Sequence, residues 1–227
     1  MMETLQKNKS WLLPILCMAI LTPFTPYLDM AIARYFYEKG NGVEHFSTLP
    51  IYDFFYVYAL IPGQITIILS TAALLLSYIV PRCRPWRNHA MFLVLTLAVG
   101  SGFVCHVLLK DHWGRPRPRQ VIEFGGQQEF RPYYKPNFFH QPETSKSFPS
   151  GHATMGFYFF TFILLGKRFH NKALFYAGLV LTLTLGFALG LTRMAQGGHF
   201  LSDVLMATLI MWLSAITFDW IIYEENK

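Results

Sequence analysis

The sequence predicts an all-α, polytopic membrane protein with six transmembrane helices. Composition is the first sign: of 227 residues, 53% are hydrophobic and only 14% charged, against about a quarter charged in ordinary soluble domains. The second is a series of apolar runs, each close to the roughly 20 residues a helix needs to cross a hydrocarbon core. The third is the placing of lysine and arginine in alternate connections between those runs, which sets orientation.

In order, the predicted spans are Trp11 to Leu28, Phe54 to Val80, His89 to Leu109, His152 to Leu165, Ala173 to Leu191 and Ser202 to Tyr223. The fourth is short and is expected to continue to about Phe169. Lys7 and Lys9 precede the first span, Arg82, Arg84 and Arg87 follow the second, and Lys167, Arg168 and Lys172 follow the fourth. These groups share one side, the cytoplasm by the positive-inside rule, so both termini are placed there and the connections after spans one, three and five face outward. Ala31-Ile32-Ala33 loosely imitates a signal-peptide cleavage site, but Pro23, Pro26 and the length of the apolar run argue against cleavage.

The whole chain, 1–227, reads as one integral membrane domain. Its one long connection, Asp111 to Phe148, mixes Phe124, Phe130, Tyr133, Tyr134, Phe138 and Phe139 with Arg119, Arg131, Lys135 and Lys146. A loop of that length is expected to be functional, and its composition suits either headgroup anchoring or substrate contact. Cys17, Cys83 and Cys105 have no spacing that suggests a disulfide framework or zinc ligands. The net charge of +6 is distributed over short loops rather than one soluble face, which argues against a nucleic-acid partner.

Three clusters carry chemistry, and all lie on the predicted outer side. In the first, Lys110 and Arg117 followed by Pro118 provide a point charge and a planar fork for phosphate oxygens, with Arg115 as an additional candidate contact. In the second, Pro149-Ser150-Gly151-His152 opens the fourth apolar run, where a helix N-terminus offers free N–H groups to an anion. His152 is suited to proton transfer near neutral pH. In the third, Thr192-Arg193 precedes His199 and Asp203, which share a helical face at a spacing of four. An aspartate there orients the imidazole and leaves its other nitrogen free to attack. Singly, each cluster also reads as snorkelling charges, a capping serine or a His–Asp helix pair. With no third obvious ligand, His199 and Asp203 make a weak zinc set.

Taken together, Lys110 with Arg117-Pro118, Pro149 to His152, and Arg193, His199 and Asp203 resemble the type 2 phosphatidic acid phosphatase superfamily, whose signature is Lys-x6-Arg-Pro, Pro-Ser-Gly-His and Ser-Arg-x5-His-x3-Asp. The one departure is Thr192 in place of Ser, which keeps the hydroxyl. The motif-bearing region runs from 110 to 203. The resemblance implies a six-helix core and a reaction without metal or other cofactor. His199 would be the nucleophile, Asp203 its support, His152 the acid and then the base, and Lys110, Arg117, Ser150, Gly151 and Arg193 the phosphate holders.

The wider run from Lys110 to Pro118 with Phe124-Gly125-Gly126, then Arg193 to Asp203, looks most like the bacterial lipid A phosphatases, the 4′ enzyme more than the 1 enzyme. This implies a bacterial inner-membrane protein with a periplasmic site, a lipid A or phospholipid substrate, and weakened attraction for cationic peptides once a phosphate is lost. No protein partner is inferred. Phosphatidylglycerophosphate and undecaprenyl diphosphate phosphatases are alternatives with the same chemistry, and a lipid-to-lipid phosphotransferase is one of another class. A transporter is disfavoured because spans one, two and five carry almost no charge.

Overall fold

The computed structural model describes residues 2–42, 45–139 and 145–223. Helices α1 (Met2–Leu21) and α2 (Thr25–Lys39) form one run through the turn Thr22–Phe24. Pro26 cannot bond the carbonyl of Thr22, and the Thr25 hydroxyl donates to that oxygen instead, at 2.9 Å. Next come α3 (Pro50–Tyr58) and α4 (Ile61–Ile79), offset at Pro62, then the turn Pro81–Trp86 and α5 (Arg87–Leu95). From Thr96 to Lys110 that helix widens to π geometry, a form often found beside functional sites. After the loop come α6 (Gly151–Phe157), α7 (Phe160–Arg168), α8 (Lys172–Leu181), a π turn (Thr182–Gly186), α9 (Phe187–Ala195) and α10 (Leu201–Tyr223).

Among the described residues, five runs are long and apolar enough to cross a bilayer: Ser10–Lys39, Pro50–Ile79, Pro81–Lys110, Lys172–Ala195 and Leu201–Tyr223. The remaining predicted segment, the fourth, corresponds to α6 and α7, roughly 27 Å end to end at about 1.5 Å per residue. It falls outside the five for a physical reason. Gly151, Ala153, Thr154, Gly156, Phe157 and Thr161 are buried, so this segment faces protein more than lipid and needs less apolar surface. The main discrepancy is the first span, expected to end at Leu28 but helical to Lys39.

Small residues bring the central helices together, as is usual where lipid supplies no hydrophobic driving force. A Cβ on Gly156 would lie 2.4 Å from the Gly186 nitrogen, and one on Gly166 2.3 Å from the Phe175 nitrogen. A core of Leu97, Ala153, Phe157, Tyr158, Val204, Ala207 and Met211 fills the centre. At one end of the bundle Arg168 grips Asp219 through two bonds of 2.9 and 2.7 Å, and Arg87 donates to the Ser77 carbonyl at 2.7 Å.

The long connection folds over the other end. Phe124 and Val121 pack with Phe46, Ala33 and Phe200, while Tyr133 and Phe148 pack with Met18. Phe138 and Phe139 remain exposed, the latter at 87%. The loop's aromatic residues thus divide into a plug inside the bundle mouth and an outward tip.

Candidate active site

The turn between α9 and α10 is built around one carbonyl. The Arg193 oxygen accepts from Gly198 N at 2.8 Å and from His199 N at 3.2 Å, while Gly197 turns the chain at φ 62°. A Cβ on Gly198 would come 2.3 Å from Arg193 Nη2, so glycine is what allows the guanidinium to fold back over its own turn. There Arg193 Nη1 donates to Gln196 Oε1 at 2.8 Å, Gln196 Nε2 donates to Asp53 Oδ1 at 3.0 Å, and Arg193 Cζ lies 4.9 Å over the Tyr56 ring. Arg193 Nε is buried with no protein partner.

One turn on, His199 Nδ1 stands 3.7 Å from Asp203 Oδ2, both side chains buried. That is an ion-pair distance, longer than a hydrogen bond. Burial pushes the His199 imidazole down to about 3, against the pull of Asp203 and with the help of Lys110; the ring is therefore neutral at neutral pH. Asp203 is held on every side: Oδ2 accepts from Ser147 Oγ at 2.6 Å and Phe200 N at 2.8 Å, and Oδ1 accepts from Arg115 Nη1 at 2.5 Å.

Here the structure corrects one sequence assignment. Arg115 is 0% exposed and is not aimed at a phosphate. Besides Asp203, its guanidinium donates to Ser202 Oγ at 2.8 Å, Asp29 Oδ2 at 2.7 Å and the Arg131 carbonyl at 2.9 Å, and lies 4.5 Å over Phe200. Asp29 in turn accepts from Ser202 N at 2.8 Å. A buried guanidinium needs carboxylate partners, and these two occupy it.

The second motif meets the third through its backbone. Ser150 N donates to the Asp203 carbonyl at 3.2 Å, and Phe148-Pro149 is cis. Ser150 stands at the N-cap of α6 with its Oγ buried and without a protein partner. Lys110 Nζ makes a long contact, 3.5 Å, to the Pro149 carbonyl. Gly151 allows His106 to lie against its backbone, since a Cβ would fall 2.6 Å from His106 Nε2. His152 stacks on Tyr56, with ring centroids 4.5 Å apart and planes at 24°.

Arg117 hangs from the loop, its N–H donating to Gln120 Oε1 at 2.9 Å. Burial, then the neighbouring Arg119 charge, weakens its protonation, while Tyr56 and Asp203 act in its favour. Arg119 N donates to the Gly197 carbonyl at 3.2 Å and so fastens this loop to the α9–α10 turn. Lys110, Arg117 and Arg193 all lie within electrostatic reach of His152. The eight residues other than Arg115 that the sequence nominated thus occupy one region, while Asp29, Tyr56, Ser147 and Ser202 join them unforeseen. Among these, only Asp29 left a signal, as a carboxylate beside an apolar span. Among the described residues no three His, Cys, Asp or Glu side chains gather as a metal-ligand set. A cleft of about 460 Å³ opens beside Arg193 and Tyr56.

Two imidazoles, three cations and a helix N-terminus around one spot can bind a phosphoryl group, attack it and exchange a proton with a departing oxygen. The chain is similar to known lipid A phosphatases. Lipid A 4′-phosphatase of Francisella tularensis subsp. novicida (strain U112) is 38% identical over 139 residues, 61% of this chain and 58% of that protein. Lipid A 4′-phosphatase of Rhizobium leguminosarum is 33% identical over 53% of this chain and 48% of its own length. Lipid A 1-phosphatase of Rhizobium etli is 32% identical over 55% and 47% respectively. The chain spans about half the length of the curated relatives it matches. No solved structure matches it. The PAP2 superfamily profile matches residues 89–227, which include all three motifs, and the chain belongs to the PAP2 superfamily.

Proposed function

We propose that this chain is a membrane lipid phosphatase that removes a phosphate from lipid A, the 4′ position before the 1 position, at the periplasmic face of a bacterial inner membrane through a phosphohistidine. The observation that carries the reading is the buried His199–Asp203 pair set beside Lys110, Arg193 and the unpartnered Ser150 hydroxyl. The names of the relatives favour lipid A over other phospholipids.

In this scheme His199 Nε2 attacks phosphorus and forms the P–N bond as the P–O bond to the lipid breaks, while His152 gives its proton to the departing oxygen. Water then attacks the phosphohistidine, His152 takes a proton from that water, and inorganic phosphate leaves with His199 restored. Asp203 supports the imidazole as it gains charge. Lys110, Arg117, Arg193, Ser150 and the Gly151 backbone hold the phosphoryl oxygens, where fixed donors supply much of the rate. The loop cations Arg82, Arg84, Arg87, Lys167, Arg168 and Lys172 lie at the opposite end of the bundle, which supports an outward site by the positive-inside rule.

Phosphate release by the purified protein in detergent with excess chelator tests this, with lipid A, phosphatidylglycerophosphate and undecaprenyl diphosphate compared and the lipid product mapped by mass spectrometry. Loss of the 4′ phosphate from lipid A, absent in His199→Ala, is the expected result. Preference for another lipid would replace the substrate and keep the site. Full activity in His199→Ala would remove the proposed nucleophile.

A further inference from the structure

The cleft of about 460 Å³ is lined by Ser47, Thr48, Asp53, Tyr56, Arg119 and Gln196 together with Phe46 and Arg193. Its size falls within the roughly 300–1,000 Å³ of small-molecule sites. Its lining is chemically particular: two hydroxyls, a carboxylate, a carboxamide and a guanidinium share one space with the rings of Phe46 and Tyr56, so polar edges and an apolar face stand together as they do on a sugar ring. Lipid glycerol or a prenyl chain offers few partners for such a set, whereas a sugar ring carries donors and acceptors around its whole edge. The Asp53 carboxylate is exposed and uses Oδ1 on Gln196, which leaves Oδ2 as an acceptor for hydroxyls. Arg193 belongs both to this wall and to the cations around His152, so the cleft adjoins the cation set. Every lining residue except Arg193, Gln196 and Arg119 comes from the segment 42–56, outside the part of the chain that matches the superfamily.

We infer that this cleft is a sugar subsite, which seats the hexosamine ring bearing the scissile phosphate and selects sugar-linked over glycerol-linked or prenyl-linked phosphates. The inference rests on the lipid phosphatase reading above and adds to it the chemistry by which the substrate is chosen.

Two measurements test it on the full chain in detergent. The first compares KM for lipid A and for phosphatidylglycerophosphate in wild type and in Asp53→Asn and Thr48→Val. Asn keeps size and an acceptor for Gln196, so Arg193 stays held. The expected result is that the preference for lipid A, taken as the ratio of the two KM values, falls about tenfold in Asp53→Asn, the scale of one hydrogen bond to a charged group. Equal loss on both lipids, or no change in the ratio, would overturn the subsite. The second is thermal stabilisation by glucosamine 6-phosphate against glycerol 3-phosphate, which needs no turnover. A larger rise with the sugar phosphate that vanishes in Asp53→Asn is expected; equal rises would overturn the inference. If wild type leaves lipid A intact yet favours the sugar phosphate in this second assay, the lipid A reading fails while the subsite stands.

Discussion

At the scale of single residues, the site depends on side chains that have almost no room to move. Gly198 is the clearest case, because an added methyl would meet Arg193 Nη2 at 2.3 Å. Gly198→Ala is expected to displace the guanidinium from Gln196 and lower kcat/KM by at least about tenfold, on the scale of losing one charge-assisted bond, with little change in helical content by circular dichroism. His199 gives a pH prediction. Its ring is held near 3 by burial, whereas an imidazole in an unfolded chain titrates near 6.5. The proposed nucleophile is therefore neutral throughout that interval, and the acid limb of kcat/KM is expected well below pH 6. A limb at about 6.5 in a pH–rate series would contradict this. The same shift has a stability consequence with a definite sign. Above about 6.5 neither state binds the proton; as pH falls from there toward 3, the unfolded chain binds it first, so folding stability declines through that window.

At the scale of elements, the hydropathy pattern was enough to locate the helices but not to say where their faces meet. Each apolar run predicted from sequence coincides, to within a residue at its ends or at an internal turn, with helical segments of the structure or lies inside them, because run length near a bilayer thickness is a strong signal. The first run ends at Leu28 by hydropathy but at Lys39 in the structure, eleven residues further; Asp29, the first charge beyond Leu28, is satisfied inside the protein by Arg115 and Ser202. Arg115 was misplaced. Three arginines follow Lys110 within ten positions, and spacing alone does not say which turns inward. Tyr56 was invisible because it sits in an aromatic stretch with Tyr52, Phe54, Phe55 and Tyr58, where any ring suits an interface. Close helix crossings supply another prediction. Gly156→Val would drive a side chain into the Gly186 backbone, 2.4 Å from its would-be Cβ. The expected cost is about 1–3 kcal/mol, read as a lowered unfolding temperature in detergent.

Over the whole molecule, the superfamily match begins at residue 89, yet the site does not close without what precedes it. Tyr56 backs His152, Phe46 packs under the Gly197 turn, and Asp29 completes the charge set behind Asp203. Removing Asp29 leaves a fully buried guanidinium with one carboxylate where it had two. Asp29→Ala is expected to cost about 3–5 kcal/mol, the range for breaking a buried pair, and Asp29→Asn less, because its amide oxygen still accepts from Ser202. Unfolding of the two variants, followed by intrinsic fluorescence in detergent, would separate these costs. A wild-type stability for Asp29→Ala would mean that the cluster contributes little.

The same pair has a consequence for how the protein is made. Asp29 and Arg115 are 86 residues apart in the chain. At a synthesis rate of about 5–20 residues per second, the carboxylate waits roughly 4–17 seconds for its partner. During that time the first hydrophobic segment carries an acid without its partner. A carboxylate in that position resists release into lipid, so the expected consequence is slower release of the early helix until the later loop arrives, which would make the order of synthesis part of how this end of the bundle is assembled.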